Sequence, residues 1–309
     1  MLIIAVIAAL AAGACFAVGG VLQQREASTR PESESLSPRL LLELARNPAW
    51  LAGIGSTAGS FLFKAVALAF GPLSVVQPLI ASELIFAIPV SVRHHGFRLH
   101  LREWGGIAAV TVGLGLGIYS AAPQQGNPLP SLLRWGEALG ALAVLAAVSL
   151  LVATRLSGPL RASLYALAAV AVLAAQSALL AATVALFRQG IVTALTSWQP
   201  YAMGVVSIIG LTLVQSAYQA GPLAASMPVM DAGNPIVGII LGLVLFHETI
   251  ATAPWHLAGA AAGVALLIGG IILVDTSPLV QRIQRAEDAQ QDAPEDHQGA
   301  QPRTADPSR

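Results

Sequence analysis

Nine apolar runs, each about as long as a membrane is thick, dominate this sequence of 309 residues. A helix that crosses the hydrocarbon core of a bilayer needs about 20 mostly apolar residues. The runs lie near residues 2–22, 48–70, 73–92, 103–122, 135–154, 160–187, 198–220, 222–246 and 255–275. Because every backbone N–H and C=O group in lipid must find its partner within the protein, runs of this length predict helices. The expected fold class is an all-α, polytopic membrane helix bundle with nine transmembrane helices.

The composition excludes a soluble globular domain. Apolar residues make up 55% of the chain and charged residues 10%, against about 45–50% and about 25% in soluble domains. The formal net charge is zero, so no nucleic-acid-binding surface is predicted. The chain has no ATP-binding glycine loop and no paired nucleophile and base, so we expect neither an ATPase nor another enzyme. The predicted partners are the lipid bilayer and a small-molecule substrate, with no cofactor and no metal site; a homodimer is compatible with the sequence.

Arginine and lysine residues are distributed unevenly between the two sides of the predicted membrane. Thirteen of the 16 lie on the side of the C-terminal tail, two lie on the opposite side, and Lys64 lies inside a run. Loops rich in these residues stay in the cytoplasm. We therefore predict a multi-pass plasma-membrane protein with an external N-terminus, a transmembrane domain over residues 1–275 and a disordered cytoplasmic tail over residues 276–309. An interfacial helix is expected over residues 36–47.

A short motif occurs twice in the chain, 150 residues apart. The stretches Ala67–Pro78 and Ala217–Pro228 share the pattern A-x-x-x-G-P-L-x-x-x-x-P. Each copy joins two apolar runs through a Gly-Pro turn and precedes a glycine-rich run, so runs 2–4 correspond to runs 7–9 with the opposite direction across the membrane. We predict inverted repeats over residues 1–122 and 160–275, joined by a linking helix over residues 135–154. Inverted repeats are typical of secondary transporters.

Three charged residues lie inside the predicted spans: Lys64, Glu83 and Asp231. A charge at the centre of a bilayer costs about 2.5–3.5 kcal/mol on insertion scales, so such residues face the protein interior and mark substrate or ion pathways. At a rise of about 1.5 Å per residue, both acids fall near mid-depth on corresponding helices. The sequence leaves open whether Lys64 and Glu83 form a static ion pair or a switch that protonation or substrate breaks.

Proline and polar residues accompany these charges. Prolines around the two acids predict helix breaks that expose backbone groups to a ligand, at Pro78, Pro89, Pro228 and Pro235. The remaining predicted pathway residues are Gln77, Asn234, Gln215 and Tyr218. For the glutamines and the tyrosine, as for Gln176 in the sixth run, hydrogen bonding between helices is the alternative role.

Four Gly-x-x-x-Gly motifs predict places where neighbouring helices approach closely, because glycine has no side chain to keep the backbones apart. They begin at Gly55, Gly113, Gly238 and Gly259. These motifs need no role beyond packing.

Several of these motifs together carry a resemblance to a known family. They are the stretch Lys64–Leu79, its echo at Pro228, the run end Phe246-His247-Glu248-Thr249 and the glycine-rich run over residues 259–270. Over roughly residues 1–276 the chain resembles the drug/metabolite transporter superfamily in its EamA-like form. The resemblance implies about ten spans in two inverted halves that move small metabolites; this chain would lack one helix of the first half.

Nine spans and a long loop after the first run also resemble the NIPA-type magnesium transporter branch. That branch has an acidic residue and an asparagine where this chain has Phe61 and Lys64, and a lysine there argues against magnesium. The leading prediction is a secondary-active transporter of a small polar or amphipathic metabolite, working by alternating access and driven by protons or by the substrate gradient. The alternatives are a divalent-cation transporter that uses Glu83 and Asp231 as ligands and a non-transporting membrane scaffold.

Overall fold

The computed structural model describes residues 2–27, 47–83, 85–86, 100–221 and 223–278. Within these ranges the regular structure is helical, apart from one isolated β-bridge between Gln124 and Thr249. The all-helical prediction is confirmed. The expected interfacial helix, the expected disordered tail beyond Pro278 and the expected break at Pro89 lie outside the described residues.

Ten helices follow one another along the described chain. They are α1 (Leu2–Ala27), α2 (Pro48–Phe70), α3 (Leu73–Ile80), α4 (Leu101–Ala121), α5 (Leu132–Ala153), α6 (Gly158–Gln189), α7 (Ile191–Thr196), α8 (Gln199–Ala220), α9 (Leu223–Val244) and α10 (Pro254–Asp275). Capping chemistry places some ends: the Asn47 side chain accepts a hydrogen bond from the Ala49 N–H at 2.8 Å, with Pro48 in the first helical position. All the predicted runs except the third coincide with a helix to within five residues at either end.

Among the helices in the described ranges, seven are long and apolar enough to cross a membrane: α1, α2, α4, α5, α6, α9 and α10. The apolar part of α8 is shorter, covering Gln199–Val214, and α3 has only eight residues. The chain is therefore a multi-pass helical membrane protein. The count of nine crossings stays a prediction.

The third apolar run, expected as one helix over residues 73–92, is interrupted. Helix α3 contains Pro78 and ends at Ile80, and a turn at Ala81 and Ser82 precedes Glu83. The N–H groups of Ala81 and Ser82 bond to carbonyls three residues back, at 3.1 Å each, so the four-residue ladder of the α-helix stops there. This interruption lies directly beside one of the predicted functional acids.

Helix α9 corrects the expectation of breaks at Pro228 and Pro235. It runs without interruption from Leu223 to Val244 through both prolines. Each proline removes one N–H donor, but the helix packs along α6, α3 and α10, and neighbouring helices sustain proline-containing helices in membranes. One support is the Ser163 hydroxyl of α6, which donates to the Ala225 carbonyl at 2.9 Å.

Glycine contacts hold the centre of the bundle together. The most extensive described helix contact joins α4 to α10, where a Cβ on Gly113 would lie 2.7 Å from the Gly263 carbonyl oxygen. On α9, a Cβ on Gly238 would collide with Gln77 of α3. By contrast, Gly55 and Gly59 have open space around their Cα atoms, so the prediction that this motif makes a close contact is wrong: it lies on an outward face of α2.

Candidate functional site

A cavity of about 190 Å³ lies among α1, α2, α3, α6 and α9. Six residues predicted from the sequence line it: Lys64, Gln77, Glu83, Asp231, Asn234 and Pro235. They come from α2, from α3 and the segment directly after it, and from α9, and are up to 171 positions apart in the chain. The three charges that the sequence places inside apolar runs are half-buried, and each of them lines this cavity.

The antiparallel packing of α3 on α9 brings the two acids together. A Cβ on Gly238 would meet Gln77, and a Cβ on Gly242 would meet Ser74. Residues that come earlier in α3 therefore lie beside residues that come later in α9. Continued past Gln77, this register places Glu83 level with residue 232, next to Asp231. The two carboxylates are close enough for their charges to interact. A proton or a cation in the cavity would relieve their repulsion.

Lys64 is held by a hydroxyl group rather than by a carboxylate. Its ammonium donates to the Ser177 Oγ of α6 at 2.8 Å, and that hydroxyl donates to the Leu173 carbonyl at 2.9 Å. Among the residues placed by the structure, no nitrogen–oxygen contact within 4 Å joins Lys64 to Glu83, although their charges interact at longer range. The direct static ion pair is therefore not formed, and the ammonium stays available to a ligand.

Helix α6 supplies site residues that sequence reasoning missed or placed elsewhere. Ser177 and Gln176 both line the cavity. The Gln176 amide also donates to the Ser207 hydroxyl of α8 at 2.8 Å, so the interhelical role predicted for it is present as well. The available signal was this adjacent polar pair within a stretch that is otherwise alanine and leucine. Phe16 and Phe61 add aromatic surface to the cavity.

Other predicted pathway residues lie elsewhere. Pro78 faces α4 and α10 rather than the central cavity, and Pro228 does not line that cavity either. Residues 215 and 218 belong to α8, but the side chains of Gln215 and Tyr218 are outside the described part of the structure.

One further acid near the site, Asp275, was not singled out from the sequence. Asp275 is the last residue of α10, is 4% exposed, and its Oδ2 has no hydrogen-bond partner among the described residues. Its charge interacts with that of Asp231, although Asp275 itself does not line the cavity. Its position at the boundary of the last apolar run hid it, because terminal acids are ordinarily solvated.

Comparison with known proteins finds a relative that aligns with most of the chain. The sequence is 33% identical over 268 residues to an uncharacterized protein of Corynebacterium glutamicum, and the alignment covers 86% of this chain and 92% of that protein. No family model and no solved structure matches the chain.

Proposed function

We propose that this chain, which belongs to the same family as the Corynebacterium glutamicum protein, is a secondary-active transporter of a small polar or amphipathic metabolite. The observation that carries the proposal is the cavity of about 190 Å³, which one ammonium and two carboxylates share inside a membrane bundle. Ionisable groups at membrane depth that face a cavity mark substrate or ion paths. The amide, hydroxyl and aromatic groups beside them suit a ligand with polar and apolar parts.

Packing between α4 and α10 supports the inverted repeat. Under the offset of 150 residues, Gly113 corresponds to Gly263, and these two glycines touch. Gly106 contacts Gly270 further towards the start of α4, so the two equivalent helices run antiparallel. Antiparallel contact through equivalent positions is the arrangement that a two-fold axis perpendicular to the helices would produce. In a membrane such an axis lies in the membrane plane, as in transporters with inverted repeats.

The same offset relates the surroundings of the site. Glu83 corresponds to Gly233, and the α3–α9 register places these two positions at nearly the same level. Each of these positions is in close contact with the first helix of its own half. A Cβ on Gly13 of α1 would lie 3.1 Å from the Glu83 nitrogen, and a Cβ on Gly233 would lie 2.9 Å from the Val170 side chain of α6. In this interpretation α1–α4 and α6–α10 form the two halves, α5 links them, and the cavity lies at their interface near mid-depth, where carriers bind substrate.

The proposed membership of the drug/metabolite transporter superfamily, in its EamA-like form, agrees with this arrangement of halves. The uneven distribution of arginine and lysine supports an external N-terminus, nine crossings of the plasma membrane and a cytoplasmic C-terminal tail. The Gly71-Pro72 turn is then on the external side. Alternating access would expose the cavity first to one face and then to the other.

A divalent-cation transporter is the second candidate, because two carboxylates face one cavity and hard cations prefer oxygen ligands. The Lys64 ammonium lines the same cavity and would repel such an ion. We therefore place metabolite transport first.

The deciding experiment is flux into proteoliposomes under an imposed pH gradient, with a panel of isotopically labelled amines, zwitterions and organic acids. We expect accumulation of at least one compound, driven by its own gradient or by protons. Magnesium entry, followed with an enclosed magnesium-sensitive dye, would replace the first candidate by the second. If neither solute nor magnesium moves, the scaffold interpretation stands.

Replacing Lys64 by methionine should reduce flux about tenfold or more, because the cavity then loses its cation and keeps two repelling acids. Replacement of its partner Ser177 by alanine should have a smaller effect, since the ammonium remains. Initial flux rates in the same liposomes measure both. Equal flux through Lys64→Met and the parent protein would show that the lysine has only a structural role.

A further inference from the structure

A second cavity, of about 350 Å³, lies at the end of the bundle where α2 passes into α3. It shares no lining residue with the central cavity, but α2, α3 and α6 line both. Its charged groups are Arg188, at the end of α6, and Glu248, in the connection from α9 to α10. In the proposed orientation this cavity faces the external side.

Glu248 binds the beginning of α3. Its Oε1 accepts the Leu73 N–H at 2.5 Å and its Oε2 accepts the Ser74 N–H at 2.9 Å, and the residue is only 7% exposed. The first N–H groups of a helix have no partner inside the helix, and a carboxylate there also interacts favourably with the helix dipole. Glu248 therefore joins the second half of the chain to the first through both carboxylate oxygens.

The end of α9 is shaped to direct Glu248 back towards the bundle. His247 has φ +53°, a left-handed conformation that non-glycine residues adopt at a cost. The Glu248 N–H then donates to the Gly242 carbonyl at 3.0 Å, so the chain folds back over the last turn of α9. The carboxylate is thereby aimed at α3 rather than at solvent.

Further bonds close this end of the molecule. The Asn127 N–H donates to the Phe246 carbonyl at 2.7 Å, and the Arg188 guanidinium donates to the Ala69 carbonyl at 2.8 Å. Gly126 lies so close to the Phe246 and His247 carbonyls that a Cβ atom would not fit. Of these contacts, only that of Glu248 holds the start of α3 itself among the described residues.

Helix α3 is a short, buried segment bounded by a turn at each end. It has eight residues, with the Gly71-Pro72 turn at one end and the turn at Ala81 and Ser82 at the other. The second turn lies next to Glu83 in the central cavity. If the first turn of α3 were released, the helix could pivot about this second turn and separate from α6, opening a path between the two cavities.

We propose that Glu248 is a positioning residue that latches the start of α3 and so closes the external end of the carrier, with the cavity of about 350 Å³ as the external vestibule. This inference rests on the proposed transport function. The latch is released when the Leu73 and Ser74 amides lose the carboxylate. Substrate then passes between the vestibule and the central cavity along α3.

Cysteine labelling from outside intact cells tests the latch. Cys15 is the only cysteine, so Cys15→Ser provides an unreactive background. Ser60→Cys reports on the central cavity and Ala185→Cys on the vestibule. With a membrane-impermeant thiosulfonate, we expect Glu248→Ala to speed labelling at position 60 about tenfold or more, because two hydrogen bonds to a charged group are lost. Labelling at position 185 should be equally fast in both proteins.

The control is Glu137→Ala, which removes an exposed acid of α5 and should leave both rates unchanged. An unchanged rate at position 60 in Glu248→Ala, with position 185 still labelled, would overturn the latch. Failure to label position 185 from outside would overturn the vestibule. Because Glu248→Gln keeps the shape of the side chain, this variant excludes misfolding as the cause of faster labelling at position 60. Labelling needs no substrate, so a labelling response without solute flux would refute the transport function and leave the latch standing.

The latch should also respond to external pH. Burial raises the pKa of the Glu248 carboxyl above its usual range, and the Leu73 and Ser74 N–H bonds oppose this only in part. Opening would hydrate the carboxyl and return its pKa towards that range, so the closed form binds the proton more tightly and acid favours closure. The other titratable or charged groups nearby are Arg188, across the vestibule, and His247, which is exposed.

Labelling at position 60 should therefore become faster as the external pH rises from the ordinary glutamate range through the raised pKa of Glu248. In Glu248→Gln this dependence should be lost, because the amide does not titrate. Rates at position 185 correct for the pH dependence of the reagent. A corrected rate that stays flat with pH in the parent protein would contradict the idea that Glu248 leaves its buried position on opening.

Discussion

Replacing Glu83 by glutamine is expected to reduce transport about 100-fold. Placing a charge in the membrane costs about 2.5–3.5 kcal/mol, and a charge kept there for binding should contribute on the same scale, roughly 100-fold in an equilibrium constant. Glu83 follows the turn at the end of α3, lines the central cavity and interacts with the charges of both Lys64 and Asp231. Asp231→Asn should have a comparable effect, because Asp231 faces the same cavity from α9. Initial flux rates in proteoliposomes measure both changes.

The matched control is Glu137→Gln, which neutralises an exposed acid of α5 by the same replacement of one carboxylate oxygen with an NH2 group. We expect its flux to equal that of the parent protein. The proton-coupled form of the proposal predicts in addition that substrate exchange without net proton movement survives in Glu83→Gln better than net uptake does. Undiminished uptake in both acid variants would contradict the proposed site.

The largest effect on stability is expected from Gly263→Ala. A Cβ at this position would overlap the backbone of Gly117, at the contact where α10 crosses α4. A backbone cannot yield as a flexible side chain can, so the two helices would have to separate along their whole contact. Overpacking of a close-packed interior costs about 1–3 kcal/mol or more, and we expect this substitution to lie at the upper end. Thermal unfolding of the protein in detergent measures it.

Gly55→Ala provides the contrasting variant within the same protein. It makes the same change in a Gly-x-x-x-Gly motif, but nothing lies within 4 Å of the position that its Cβ would occupy. Because alanine is a better helix former than glycine by about 1 kcal/mol, this variant should be as stable as the parent or slightly more stable. Equal destabilisation by the two substitutions would show that the α4–α10 contact is not a principal source of stability.

Helix positions were predictable from the sequence because lipid imposes a simple requirement. Each apolar run must satisfy its backbone polar groups internally and match the thickness of the hydrocarbon core, so length and polarity placed the helix ends of every run except the third to within five residues. Helix α2 was expected over residues 48–70 and is found there, and α10 begins one residue before its predicted start. The same reasoning drew attention to Lys64, Glu83 and Asp231, since the cost of a charge in lipid does not depend on knowing its partner.

The choice of contact partners could not be predicted in this way. The four Gly-x-x-x-Gly motifs are equivalent as patterns, yet Gly113 meets α10 while Gly55 faces open space. Likewise Pro78 lies just before an interruption of its helix, whereas α9 continues through Pro228 and Pro235. In each case the outcome depends on what the neighbouring helix offers at that level, which no local pattern contains.

The sequence by itself determined that this protein is inserted in a membrane, where its helices lie, and which charged residues must face the protein interior. These properties follow from the free energies of transfer of single segments and side chains. Only the tertiary structure decided that Lys64 binds Ser177 instead of Glu83, and that Glu248 holds the start of α3 from 175 residues away. Such pairings depend on which helix faces meet and at which register. That is a property of the packed bundle as a whole, because a shift of one residue between two helices exchanges every neighbour.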